Sequence, residues 1–148
     1  MSKRLIASIF GALAVSLIAG CGSSGDSSTS SLTKAEFIKR GDAICGKVKS
    51  QLEAELQAAY KKSAKAENLA KVIKSSAPPA YNAMIEELQD LGIPAGDEEQ
   101  INAILDETTK GVEEIESADS KLGSGRLPAI ERANKLAAEY GFTLCIQN

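Results

Sequence analysis

The chain predicts an all-α fold, an antiparallel up-down-up-down four-helix bundle with one disulfide and a second helix kinked or broken at Pro78-Pro79. Three observations lead there. Apolar residues recur at spacings of three and four along four segments, as one buried face of a helix requires. Short connections rich in Gly and Pro separate those segments. No stretch alternates apolar and polar residues as a half-buried strand would.

The first helix is expected from about Lys34 to Lys62. Thr33-Lys34-Ala35-Glu36 reads as a capping box, with Leu32 and Phe37 at the two positions of a hydrophobic staple. Its apolar stripe is Phe37, Gly41, Ile44, Cys45, Val48, Leu52, Leu56 and Ala59. Gly41 and Gly46 each cost about 1 kcal/mol of helix propensity, which close packing against a neighbour would explain. The second segment, about Ala66 to Leu91, carries one apolar patch at Leu69, Val72 and Ile73 and another at Tyr81, Met84, Ile85, Leu88 and Leu91. Pro78-Pro79 falls between them and disfavours helical geometry at Ala77.

Gly92-Ile93-Pro94-Ala95-Gly96 is a turn, after which Asp97 is expected to cap the third helix with Gln100 in the reciprocal position. Ile101, Ile104, Leu105, Thr108, Val112, Ile115 and Leu122 form the third stripe, ended by Gly123-Ser124-Gly125. Pro128 suits a first helical turn, and Ile130, Ala133, Leu136, Ala137 and Tyr140 mark the fourth helix. Gly141 is a natural left-handed terminator with Phe142 behind it.

Ahead of the bundle stands a different kind of segment. Lys3 and Arg4 precede an uncharged apolar run from Leu5 to Ala19, whose last residues belong to the stretch Leu17-Ile18-Ala19-Gly20-Cys21. The run has the length of a signal h-region and falls short of the roughly 20 residues that span a bilayer. The motif resembles the lipobox of bacterial lipoproteins, which implies a diacylglycerol thioether on Cys21 and cleavage before it. Two acyl chains of palmitate length anchor far more firmly than one. The expected organisation is therefore a lipoprotein signal peptide at 1–20, a lipidated Cys with a Ser/Gly tether at 21–32, and a helical domain at 33–148. Ten residues such as Gly22 to Ser31 reach roughly 18 Å root-mean-square when flexible. The expected location is exported, lipid-anchored to the cell membrane and facing the extracytoplasmic side.

Composition narrows the chemistry. The chain has 17 Lys and Arg against 20 Asp and Glu, net −3, and loss of Lys3 and Arg4 would leave −5. That balance argues against nucleic-acid binding, which needs a basic face. With no His among 148 residues, imidazole zinc sites and every Ser–His or Cys–His arrangement within the chain are excluded. Acylation of Cys21 would leave Cys45 and Cys145, two thiols in an oxidising compartment, and so one disulfide. No C-x-x-C supports a redox role. An up-down-up-down path brings the start of the first helix and the end of the fourth to the same end, where these two cysteines would meet.

Lipobox, Ser/Gly tether, Asp42-Ala43-Ile44-Cys45, the Pro-containing turn before Asp97 and Glu139-Tyr140-Gly141-Phe142-Thr143-Leu144-Cys145 together resemble the small helical lipoproteins of high-GC Gram-positive bacteria. Such relatives often carry Asn where Lys49 stands and Gly-Asp where this chain has Gly123-Ser124. The resemblance implies fold, disulfide and placement, and no activity.

Four constellations of residues could carry chemistry. Asp97-Glu98-Glu99 with Asp106, Glu107, Glu113, Glu114 and Glu116 could form a carboxylate cage, but the first group complements a helix amino terminus and the second reads as a solvated face. No calcium-loop pattern accompanies them. Lys61, Lys62, Lys65, Lys71 and Lys74 give the first inter-helix connection a basic flank that suits a polyanion, part of it paired through Glu67–Lys71. Asp106–Lys110 and Glu131–Lys135 repeat that favourable order. Tyr60, Tyr81, Tyr140 and Met84 suit either core positions or a cavity for a small apolar ligand. Gly123-Ser124-Gly125-Arg126 lacks the Lys-Ser/Thr of a phosphate loop and reads as a connector.

The expectation is a non-enzymatic, membrane-anchored module that binds an envelope partner or small ligand, without metal or cofactor. A spacer that stabilises the envelope without a specific ligand is the alternative, and a hydrolase using paired carboxylates the third reading.

Overall fold

Thr33 opens the first helix as its spacing predicts. In the computed structural model, which describes residues 32–118, 122 and 126–146, α1 runs from Lys34 to Lys62. The Glu36 amide donates to the Thr33 hydroxyl at 3.3 Å, and the Thr33 amide donates back to the Glu36 carboxylate at 3.0 Å. The Thr33 hydroxyl also donates to the Glu36 carboxylate at 2.7 Å, and that bond first, then the Thr33 amide, holds the carboxyl below its ordinary range. Phe37, Gly41, Cys45 and Val48 are buried on the stripe, whereas Leu52, Leu56 and Ala59 beyond them are only half-buried. Core burial is thus concentrated in the first half of the helix.

α2 is one helix, Ala66–Asp90, with Pro78 and Pro79 inside it. Neither proline can donate to the carbonyls of Lys74 and Ser75, the loss that ordinarily breaks a helix. The helix continues because its buried stripe, Ala70, Ala77, Tyr81, Met84 and Leu88, keeps its phase across the pair. Packing on both sides of the gap offsets the missing bonds.

Gly92 and Gly96 take positive φ in the turn that follows, and α3 spans Glu98–Ser117. Asp97 occupies the cap position, yet its side chain makes no capping bond and Gln100 does not reciprocate. The Glu98 carboxylate serves this turn instead, accepting from the Gly96 amide at 2.7 Å. α3 also stops five residues before Leu122. Ala118 is extended, and Leu122 is buried from outside the helix, so burial alone put it on the apolar stripe. α4 spans Pro128–Tyr140 with Pro128 in its first turn.

The described residues contain these four helices and no strand. α1 packs on α2, α2 on α3 and α3 on α4. The first and last helices are joined through the segment that follows α4, where Phe37, Tyr140 and Phe142 form a buried aromatic trio with ring centroids 5.3 to 6.2 Å apart.

Candidate functional site

Asp42 and Cys45 stand three residues apart on α1 and so share a face. What meets them is set by Gly141. Its φ of 116° is left-handed, and the Phe142 amide donates to the Ala137 carbonyl at 2.9 Å while the Gly141 amide donates to Ala138 at 3.1 Å. This Schellman arrangement turns the chain back across α1. Phe142 then lies over Gly41 so closely that an added Cβ would stand 2.6 Å from its ring, and Leu144 covers Gly46. The Thr143 amide, the Thr143 hydroxyl and the Leu144 amide donate to the Asp42 carboxylate at 2.9, 2.7 and 2.8 Å. Cys45 and Cys145 stand at disulfide distance, S–S 2.01 Å and Cα–Cα 4.9 Å. The two sequence motifs are the two halves of one clasp. Asp42 was present in the quoted motif without a role; its signal was its offset of three from Cys45.

Three of the acidic residues, Asp97, Glu107 and Glu114, are occupied structurally, while Glu99, Asp106, Glu113 and Glu116 lie exposed on the surface of α3. Asp97 accepts from the Tyr140 hydroxyl at 2.7 Å, which explains why it caps nothing. Burial, then that bond, pushes the Tyr140 phenol well above its ordinary value. Lys34 sits 4.0 Å from the centroid of the same ring, a cation–π contact. Glu114 reaches from α3 to accept the Ala129 amide at 3.0 Å, satisfying an orphan donor at the start of α4. Glu107 binds Lys110 and Arg132, which together hold its carboxyl below the ordinary range. Among the described residues, no three Cys, Asp or Glu side chains converge as a metal cage would.

The expected helix-surface pairs are replaced. Lys110 takes Glu107 rather than Asp106, because Glu107 also faces Arg132 across the α3–α4 contact. Glu131 takes Arg126 rather than Lys135, through two parallel bonds of 2.9 and 2.8 Å. A guanidinium fork outcompetes a single ammonium for a carboxylate. Lys135 leans on Glu139 at 3.9 Å, and Glu67 makes no ion pair with Lys71.

The four residues considered for a cavity do not meet. Tyr60 is 61% exposed, and Tyr140 belongs to the aromatic trio. Tyr81 and Met84 do line an interior space with Leu88, Ile104, Thr108 and Phe142, but it measures about 20 Å³. That holds about one water, against 300–1,000 Å³ for ligand pockets of ordinary size. Burial raises the Tyr81 phenol. Ligand recognition at this interior has no room.

The spacious concavity lies elsewhere, between the last turns of α1 and the first half of α2. It encloses about 530 Å³ and is lined in part by Lys62, Ser63, Asn68, Lys71, Val72 and Ser76. The Ser63 amide closes α1 on Ala59 at 2.9 Å, and the Asn68 side chain donates to the Ser63 hydroxyl at 2.8 Å, which sets the connection between the helices. Glu55, also in the wall, accepts from Gln51 at 3.2 Å and is held below its ordinary range by Ser76 first and Gln51 second. Lys62 and Lys71 line this cleft, Lys61 and Lys65 are exposed near them in the chain, and among the described residues none of the four has a carboxylate within 4.0 Å. Lys74 alone of the expected flank is engaged, donating to the Ala118 carbonyl at 2.6 Å.

Cys21, the preceding signal segment, the tether and Gly123-Ser124-Gly125 lie outside the described residues. Among the described residues no helix is long and apolar enough to cross a membrane. No protein-family model, no curated protein and no solved structure matches this chain.

Proposed function

We propose that this chain is an exported lipoprotein of the kind found in high-GC Gram-positive bacteria, held to the extracytoplasmic face of the cell membrane through acylated Cys21. Its helical domain is a non-enzymatic binding module for an envelope component. The observation that carries this reading is the allocation of side chains. Three half-buried carboxylates, Asp97, Glu107 and Glu114, are spent on Tyr140, two cations and a helix start, while Lys62 and Lys71 of the α1–α2 cleft are left to solvent. A stapled interior with an unengaged cationic cleft is the arrangement of a scaffold that recognises through its surface. The lipobox-like Leu17 to Cys21 supports the placement.

The helices run alternately up and down in this proposal, as packing between consecutive helices and short connections favour. α2 bends at Pro78-Pro79, where two consecutive donors are missing. Photo-crosslinking in intact membranes, with probes placed around the cleft and on the polar face of α3, tests the binding reading. A specific adduct at the cleft is the expected outcome, and its absence at every position counts against recognition.

A spacer that contributes bulk and tether length is the second reading, favoured by the filled interior. Replacing the exposed lysines by Gln discriminates the two in the host, because a spacer tolerates it and a recognition module loses function.

A further inference from the structure

We infer that the α1–α2 tip is a second membrane contact, specific for anionic phospholipid headgroups, which lays the domain down on the surface that anchors it. The inference rests on the lipid-anchor reading above and names the envelope component that the cleft recognises.

Three observations converge on the tip. Lys61, Lys62, Lys65 and Lys71 are exposed and unpaired within a chain whose net charge is negative. Between Lys61 and Lys74 the one acidic residue is Glu67, so this stretch carries a net positive charge that attracts an anionic surface, and each Lys near such a surface adds to binding. Tyr60 stands beside them at 61% exposure, the largest among the exposed large hydrophobics of the described residues. An amphipathic ring next to ammonium groups suits the membrane–water boundary rather than a purely polar polymer. The cleft itself is amphiphilic. Lys62 and Lys71 supply ammonium groups to its wall, Ala59 and Val72 supply apolar surface, and the one carboxylate there, Glu55, is already engaged by Ser76 and Gln51. A phosphodiester with its glycerol carbons presents the complementary sequence of groups.

Geometry makes the contact reachable. α1 has 29 residues, so its last residue lies about 42 Å from its first. A domain standing upright on the tether would hold the tip away from the surface, whereas one lying along the membrane plane brings it down. The Ser- and Gly-rich composition of residues 22–31 is compatible with either. Because the anchor would already hold the domain at the surface, docking of the tip is an intramolecular step, for which weak individual contacts suffice.

The chain lacks Trp, so Tyr60→Trp gives a single reporter at the tip. The full-length protein, processed in a lipoprotein-competent bacterial host, would be placed in vesicles of phosphatidylcholine alone or with about one-third phosphatidylglycerol, each containing brominated lipid. The expected result is blue-shifted, quenched emission on the anionic vesicles and none on the neutral ones. It should be reversed in about 1 M salt, where the Debye length is about 3 Å, and lost in a Lys61, Lys62, Lys65, Lys71→Gln variant. The salt arm uses the native lysines, so it decides even if that variant folds poorly. Equal quenching on both vesicle types, or none on either while the protein still floats with them, overturns the inference. Binding to soluble polyphosphate with no response to anionic vesicles overturns it in favour of a polymer. If the protein fails to float with neutral vesicles in high salt, the anchor reading has failed, and salt-reversible quenching on the anionic vesicles still decides the tip.

Discussion

The two ends of α1 are built on opposite terms. At the first, Phe37, Gly41, Asp42 and Cys45 are covered by the returning segment Phe142 to Cys145, and the polar atoms of the crossing are paired. At the other, Leu52, Leu56 and Ala59 are half-buried, Tyr60 projects into solvent, and four lysines go without a carboxylate. One helix therefore carries a locked end and an open end. The difference teaches that stability and recognition are divided along its length, so substitutions should separate them.

The largest effect is expected at the locked end. Replacing Cys45 and Cys145 together by Ser removes a cross-link closing 100 positions and should cost about 3–5 kcal/mol. For a domain of this size that lowers the melting midpoint by roughly 15 °C or more, measured by circular dichroism without reductant. A midpoint within a few degrees of the parent would show that the clasp does not need its sulfur link. Next comes Gly41→Ala, where the new Cβ meets the Phe142 ring and overpacking should cost about 1–3 kcal/mol. Asp42→Ala strips three donors of their acceptor and should cost about 2 kcal/mol in urea unfolding.

Titration offers a finer probe. The Tyr140 phenol is raised in the folded state, so its contribution is complete below about pH 10 and lost as pH climbs through the folded value. Tyr140→Phe should flatten that alkaline loss. Glu107 behaves in the opposite sense. Its folded carboxyl is depressed by Lys110 and Arg132, so its contribution is present above about pH 4.3 and lost as pH falls through the folded value. Glu107→Gln should melt with less dependence on pH in the acid range. The smallest effect belongs to the open end, where Lys61, Lys62, Lys65 and Lys71→Gln should each change stability by less than about 0.5 kcal/mol. A larger loss at any of them would erase the contrast between the ends.

Much of the fold was legible because local rules and tertiary demands agree. The capping box at Thr33, the bounds of α1, the left-handed Gly141 and the meeting of Cys45 with Cys145 follow from spacing and backbone preference. The misses arise where a side chain answers to a distant residue. Asp97 looked like a cap, but Tyr140 takes its carboxylate from 43 positions away. Glu131 seemed paired to Lys135 until Arg126, before the helix, offered a better fork. Pro78-Pro79 reads as a kink or a break because local geometry disfavours helix there; of the two, the break does not occur, since the continuous buried stripe outweighs it. The basic flank was visible as composition; that four of its lysines would find no partner was not, since Glu67 stood at a favourable offset.

The sulfur link would have a mechanical meaning if the chain is anchored as proposed. A pull applied between the segment before Thr33 and the last residues of the domain would travel through the opening turns of α1, cross from Cys45 to Cys145 and leave. The rest of α1 and all of α2, α3 and α4 fall within the bridged loop, outside the load path. Tension could strip those opening turns without unravelling the helices that form the cleft, which would keep its shape while the protein is dragged.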